Sequence, residues 1–376
     1  MPRTQPTDRL LIALDIDGTL LERGGRVPPG TVEALDLVRA AGHTVTLATG
    51  RSLVGLMPVA TRLGLTDGLA VCSNGAITVH LDSAAPSGYV VCDARSFDPG
   101  LVITRTLQLA PDAEIGVEEV GWGWRVNQKF EGELLNGEQK IVPVAGLAAG
   151  PAVRIAIQVP EARPLLGALR ATGATVTPAG VDWLDVTAPH TGKDVALERI
   201  RVRLGVPRER TVAVGDGSND LGMVAWAGRG VAMGHGPSAV QEVADEVTGT
   251  IGEGGAVLVL RSVLPVGGAG LEALSALAAQ LVTAVRTTHG PAVLRVWHDQ
   301  RPGVVRCDVW TCSEGAWVLH GPILSGGGAT MRAIEAAARE AGLRYPRGDV
   351  GRRRARWRSV RDVDGRVGFE LPLAHA

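Results

Sequence analysis

The apolar positions of this chain change their spacing three times, and each change marks a different kind of structure. Leu10 to Leu14 is an unbroken apolar run of the length expected for a strand buried on both faces. Thr31 to Ala41 has helical spacing and ends at Gly42, a stop signal. Thr44–Ala48 predicts a second strand, Ser52–Leu63 a second helix and Leu69–Cys72 a third strand. Such strand–helix alternation predicts an α/β fold with a doubly wound parallel sheet. Ligands in such sheets bind beyond the carboxyl ends of the strands, where Asp15, Thr49 and Asn74 fall.

From about Leu81 to Asp182 the spacing shortens. Strands are expected at Gly88–Cys92, Gly121–Val126, Val153–Val159 and Ala174–Thr177, with helices at Pro99–Leu109 and Glu161–Thr172. This predicts an inserted α+β unit. The alternating pattern then resumes, with a helix at Asp194–Leu204, a strand at Thr211–Val214, a helix at Asp220–Ala227 and a strand at Gly230–Met233. Gly267-Gly268-Ala269-Gly270 reads as a linker. Beyond it, Leu271, Leu274, Leu277, Leu281 and Val285 form a helical stripe. Strands follow at Ala292–Trp297, Val304–Trp310 and Ala316–His320, then a helix at Ala329–Ala341 and a strand over Arg352–Arg361. The expected organisation is a core from residues 1–81 and 183–266, an insert at 82–182, and an extra C-terminal α+β domain at 267–376.

Composition narrows the class. Hydrophobic residues make up 45% of the 376-residue chain but aromatic residues only 3%, so Ala, Val, Leu and Gly carry the packing. A formal net charge of −1 argues against binding nucleic acid over the whole surface. The four cysteines, Cys72, Cys92, Cys307 and Cys312, form no CxxC pair, which disfavours a zinc ribbon or a thioredoxin-like motif. The segment Met1–Arg9 lacks the apolar core of a signal peptide, and the apolar stretch Ala256–Val266 is interrupted by Arg261. These features lead to the expectation of a soluble, cytoplasmic protein without a membrane partner.

Four short motifs carry the candidate chemistry. Asp15-Ile16-Asp17-Gly18-Thr19 follows the first strand, and Thr49-Gly50-Arg51 follows the second. Lys193 opens a later helix, and Gly215-Asp216-Gly217-Ser218-Asn219-Asp220 follows another strand. A carboxylate at a strand end can attack phosphorus directly, which makes Asp15 the candidate nucleophile. Asp17 reaches the same phosphate if the chain turns tightly, which Gly18 permits, and is the candidate general acid and base. Carboxylates beside a phosphate require a cation, and Mg²⁺ suits an all-oxygen site. Asp216 is the natural third carboxylate, with Asp220 supporting the metal shell. The Thr49 hydroxyl and the Gly50 and Arg51 amides at a helix start form an anion cradle, and Lys193 offsets the charge of a phosphoryl-aspartate. The glycine spacing does not fit an EF-hand, and Thr191-Gly192-Lys193-Asp194 is not a P-loop.

In this order, and with Ser73-Asn74-Gly75-Ala76 and Gly254-Gly255-Ala256-Val257 alongside, the motifs resemble the haloacid dehalogenase superfamily, in particular its Cof-type sugar-phosphatase branch, over about Leu10 to Leu264. The resemblance implies a Rossmann-like core, a C2-type cap at the insert, and Mg²⁺-dependent hydrolysis of small phosphorylated metabolites, sugar phosphates or related phosphomonoesters. It implies metal binding by Asp15, the Asp17 carbonyl and Asp216, with Asp220 in support, and phosphate binding by Thr49, Gly50, Lys193 and Asn219. Asp194 departs from the glycine that many relatives carry after the lysine. Asp17 favours a phosphatase over a dehalogenase.

Other residues are candidates on the substrate side. Arg51 and Asn74 lie at the strand ends. Trp122 and Trp124 alternate, so one strand would place both on the same face, either to stack on a substrate or to pack the cap. Arg352, Arg354, Arg356 and Arg358 would share one face of a strand, a stripe able to contact nucleic acid or a partner, or else a solvated edge. The competing functions are therefore a phosphomutase or phosphotransferase on the same core, and a binding or regulatory protein acting through its C-terminal domain. Neither the substrate nor the oligomeric state is specified by the sequence.

Overall fold

The computed structural model describes residues 9–131 and 135–264, together with five strands of the C-terminal part. Among the described residues the strands, in chain order, begin with β1 (Leu11–Leu14), β2 (Thr44–Leu47), β3 (Asp67–Cys72), β4 (Ile77–Asp82) and β5 (Tyr89–Ala94). Next come β6 (Glu114–Glu119), β7 (Gly123–Val126), β8 (Glu138–Ile141), β9 (Arg154–Gln158), β10 (Thr175–Pro178) and β11 (Trp183–Thr187). The series continues with β12 (Thr211–Gly215), β13 (Arg229–Ala232) and β14 (Glu246–Val247), and ends with β15 (Ala292–His298), β16 (Val304–Ser313), β17 (Ala316–Gly326), β18 (Arg358–Arg361) and β19 (Val367–Leu373). The helices are α1 (Thr31–Ala40), α2 (Leu53–Arg62), α3 (Gly100–Leu109), α4 (Val144–Leu147), α5 (Leu166–Arg170), α6 (Lys193–Arg203), α7 (Leu221–Trp226), α8 (Ser238–Val243) and α9 (Gly255–Ser262).

Two units of dense internal contact divide the chain. One comprises residues 5–18 and 44–228. Its parallel strands run in the order β12, β1, β2, with Leu11 opposite both Thr211 and Thr44. A parallel bridge from Ala48 to Val71 brings β3 alongside β2. All four residues of β1 are buried, which explains why its sequence has no polar alternation. The chain returns as β2 on one side of β1 and later as β12 on the other. The carboxyl end of β1 is therefore a topological switch point, the place where such sheets bind ligands, and Asp15 is the next residue.

The insert forms a separate sheet in the order β10, β11, β9, β6, β7, β8. Alternation along its strands sorts the side chains. Ile115, Val117, Ile155, Ile157, Leu184 and Val186 pack with Val102 and Ile103 of α3 and Leu169 of α5. The intervening residues, which include Glu118, Arg154 and Asp185, point to the opposite face. The last strand of this sheet, β11, lies beyond Asp182, so the sheet extends further along the chain than the pattern of short apolar runs indicated. The helix expected at Glu161–Thr172 is shorter: Arg163–Leu165 is a 3-10 turn, with Pro164 in its first positions, and α5 starts at Leu166. Proline fits a first turn but cannot extend a helix upstream of itself.

The other unit comprises residues 1–4, 19–43 and 229–376. Within it β13 and β14 pair in parallel, and the buried Arg229 guanidinium donates to both Glu246 carboxylate oxygens at 2.8 Å. In α1 and α9, Arg261 pairs with Glu33 at 3.3 Å. The C-terminal strands form an antiparallel sheet in the order β17, β16, β15, β19, β18. Strands β15 to β17 match the expected ones and run further. The expected helices at 271–285 and 329–341 lie outside the described residues, as do Arg352 to Trp357 of the arginine run. No helix among the described residues is long and apolar enough to cross a membrane.

Leu11 is fully buried in a cluster with Val71, Leu197 and Met223. Leu11→Ala should cost about 2–5 kcal/mol, read as a lower urea midpoint for the unfolding transition. Leu37, which is 44% exposed on α1, should tolerate alanine within about 0.5 kcal/mol. Equal effects at the two sites would contradict the assigned core.

Candidate active site

Three separated segments converge at the end of β1. The Asp15 amide donates to Val214 O at 3.0 Å, extending the β1–β12 ladder by one residue and fixing where the carboxylate sits. Asp15 is 5% exposed. Lys193, the first residue of α6, sends its ammonium between two carboxylates, 2.6 Å from Asp15 Oδ1 and 2.6 Å from Asp220 Oδ1. Asp220 also accepts from the Asp216 amide at 3.0 Å and the Gly217 amide at 2.8 Å. It therefore folds the loop after β12 back on itself. One oxygen from each of Asp15, Asp216 and Asp220 lies within 4.8 Å of the others.

The charges here are uneven. Burial pushes the Asp15 carboxyl well above the usual carboxylate range, and the charge of Asp220 adds to this, while Lys193 opposes it. Burial alone would pull the Lys193 ammonium down, but the charges of Asp15 and Asp220 and its hydrogen bonds to them raise it above its ordinary value. Three converging carboxylates with one ammonium leave a deficit of positive charge. An all-oxygen donor set with that deficit fits a hard divalent cation.

Gly18 is required twice over. Its φ is +83°, and a Cβ there would lie 2.2 Å from Asp216 Oδ2. The turn carries Asp17 away from the carboxylate cluster. Its side chain, 56% exposed, accepts from Arg51 Nε at 2.8 Å and Nη2 at 2.6 Å. The Asp17 carboxylate is thus not one of the three that converge. Thr49 is fully buried, and its hydroxyl accepts from the Arg51 amide at 3.1 Å. Gly50, Arg51, Asn74 and Asn219 all line one cavity of about 600 Å³ with Asp15 and Asp17. The Asn219 side chain donates to Asn74 Oδ1 at 3.0 Å.

Comparison with known proteins gives the same reading of the core. A family model for haloacid dehalogenase-like hydrolases matches residues 12–92 and 162–260. The pyridoxal phosphate phosphatase YbhA of Escherichia coli is 31% identical over 264 residues, covering 64% of this chain and 93% of the relative. This chain belongs to the haloacid dehalogenase-like hydrolases. The 5-amino-6-(5-phospho-D-ribitylamino)uracil phosphatase YitU of Bacillus subtilis is 27% identical over 270 residues, covering 68% of this chain and 97% of the relative. Among solved structures, the subclass IIB sugar phosphatase BT4131 superposes with a TM-score of 0.58 at 22% identity, covering 67% of this chain and 97% of that one. The chain is a phosphatase of this superfamily, with its Rossmann-like fold.

In this phosphatase the inserted sheet contributes residues that the motifs did not mark. Glu118 accepts from Arg154 Nε at 2.7 Å and from the Ser73 hydroxyl at 2.9 Å. Arg154 also donates to Gly50 O, and its guanidinium lies 4.8 Å from the Trp124 ring centroid. Asp185 accepts from the Asn74 side chain at 2.7 Å and from Trp183 Nε1 at 3.1 Å. A usable signal was present in the sequence. Arg154 and Asp185 each stand inside an otherwise apolar strand run, and a charge in such a place needs a partner. The expected pairing of Trp122 with Trp124 on one face is corrected. The strand begins at Gly123, leaving Trp122 in the preceding turn and 45% exposed, whereas Trp124 is 1% exposed. Trp124 lines the cavity and Trp122 is not among the lining residues.

Lys193→Ala would leave two buried carboxylates without their cation. The expected loss is about 3–5 kcal/mol of stability, measured by urea unfolding without added divalent metal. An unchanged midpoint would contradict the pairing.

Proposed function

We propose that this phosphatase hydrolyses small phosphomonoesters, sugar phosphates or related metabolites, through a phosphoryl-Asp15 intermediate with Mg²⁺ as cofactor. The observation that carries the reading is the convergence of Asp15, Asp216 and Asp220 around Lys193 at the sheet's switch point. Asp15, Asp216 and the Asp17 carbonyl would hold the ion, with Asp220 in support. When bound, Mg²⁺ supplies positive charge to the phosphoryl oxygens and to the Asp15 carboxylate.

The chain's own residues account for the remaining steps. An Asp15 oxygen attacks phosphorus as the bond to the leaving oxygen breaks. The leaving oxygen takes its proton from Asp17. In the second half Asp17 takes a proton from water, which attacks phosphorus and frees Asp15. This general acid–base role is worth roughly 10²–10⁴-fold. Lys193, already within hydrogen-bond distance of Asp15, offsets the charge of the phosphoryl-aspartate. Thr49, Gly50 and Asn219 would hold the phosphate. The Arg51 fork that now grips Asp17 also matches a phosphate, so a bound phosphate and Asp17 compete for it. Such competition would release Asp17 for proton transfer as the substrate enters. The insert that supplies Arg154, Asp185 and Trp124 would act as the substrate-selecting cap.

Three experiments check this. Asp15→Asn should abolish phosphate release from p-nitrophenyl phosphate with the circular dichroism spectrum unchanged. Retained turnover would sink the nucleophile assignment. Excess chelator should silence the wild type and added Mg²⁺ should restore it. Mg²⁺ should also raise the melting temperature of the wild type but not of Asp216→Asn, and an equal rise in both would place the ion elsewhere.

A further inference from the structure

The part of the cavity beyond the phosphate end is walled by the cap, chiefly by Trp124, Asn136, Arg154, Asp182, Trp183 and Asp185. Its charges point to a selection rule. We propose that the cavity admits phosphomonoesters whose leaving group is neutral or cationic and rejects those carrying a second anionic group, and that Glu118, Asp182 and Asp185 set this preference. The inference rests on the phosphatase reading above and names the substrate class for the same site.

The argument begins with the cations. Among the described residues, Arg51 and Arg154 line the cavity and Lys193 lies beside it, and each already holds a carboxylate. Lys193 serves Asp15 and Asp220. Arg51 serves Asp17 or an incoming phosphate. Among the described residues only Arg154 is left to meet a negative charge on the leaving group, and it is committed more deeply than the other arginine. Its side chain is 6% exposed and pairs with Glu118, itself 1% exposed, and with Asp185 at 3.5 Å. Gly50 O and the Trp124 ring occupy further parts of the guanidinium.

A leaving-group carboxylate would therefore have to displace Glu118 or Asp185. Either displacement leaves a buried carboxylate short of its cation, a heavy cost in a low-dielectric wall. Failing that, the incoming anion would lie beside the Asp182 and Asp185 carboxylates of the cavity wall, with Arg154 already engaged by Glu118 and Asp185. Hydroxyl and ammonium groups meet no such barrier, because carboxylate oxygens accept hydrogen bonds from both. The wall thus excludes by repulsion and by prior occupation of Arg154, which is how a site rejects a near-isosteric competitor.

Three esters of nearly equal size test the rule: 2-hydroxyethyl phosphate, phosphoethanolamine and phosphoglycolate, each assayed with the full chain and Mg²⁺. The expected kcat/KM for phosphoglycolate is at least ~100-fold below that for the hydroxyethyl ester, while phosphoethanolamine equals or exceeds the latter. Glu118→Gln, which keeps a hydrogen-bond acceptor for Arg154, should narrow the gap roughly tenfold. Asp182→Asn, at an exposed position, should narrow it in the same direction even if Glu118→Gln fails to fold. A residue with a purely structural role would lower all three substrates in parallel and leave the ratios unchanged. Phosphoglycolate turnover equal to that of the neutral ester, or unchanged ratios in the variants, overturns the rule. Absence of turnover with all three esters and with p-nitrophenyl phosphate overturns the phosphatase reading itself, and the rule with it.

Discussion

The Lys193 ammonium, held between Asp15 and Asp220, is the contact on which the rest of the site depends. It joins three segments that are distant in sequence: the end of β1, the start of α6 and the loop after β12. Removing a lysine from water is costly, and so is burying two carboxylates. Each charge is tolerable because the others are within hydrogen-bond distance. The geometry that results is also useful for chemistry. Asp15 is kept buried and aimed, and Asp220 uses its second oxygen to fold the loop that carries Asp216. The tight turn at Gly18 follows from the same crowding, since Asp216 occupies the space a side chain would need.

A second polar layer connects this centre to the cap. Ser73 and Asn74 both have left-handed backbone conformations, with φ of 52° and 53°. Such conformations cost of order 1–3 kcal/mol each for residues with a Cβ and persist where surrounding contacts fix them. Here the contacts are Glu118 on Ser73, and Asp185 and Asn219 on Asn74. Asn74 thereby links a cap strand to the loop that bears Asp216. Arg154 makes a parallel link from the cap to Gly50 O. The cap sheet can do this because its two faces differ: the helices cover one, and the other presents its charges to the site.

The convergence of Asp15 and Asp216 was legible in the sequence because these residues sit at strand ends. An apolar run that stops at Asp15 identifies both the strand and the position just past it, and the same holds for Thr49 and Asp216. The Glu118–Arg154–Asp185 cluster was not read, because its members come from strands 36 and 31 residues apart and partner choice is a tertiary matter. The positions of Arg154 and Asp185 inside apolar runs did mark those two as charges in need of partners. The tryptophan pair failed for a local reason: period-two reasoning holds only within a strand, and β7 starts at Gly123, after Trp122. Pro164 shortened α5 by the ordinary rule for proline inside a helix, a rule the apolar spacing of Glu161–Thr172 had obscured.

The central claim is that Asp15 itself becomes phosphorylated. Acid-quenching a single turnover and mapping the peptides by mass spectrometry tests it most directly. The account predicts a transient phosphoryl group on Asp15 that disappears as inorganic phosphate forms. Phosphate release with no phosphoenzyme at any time, or with the label on a different residue, would contradict it.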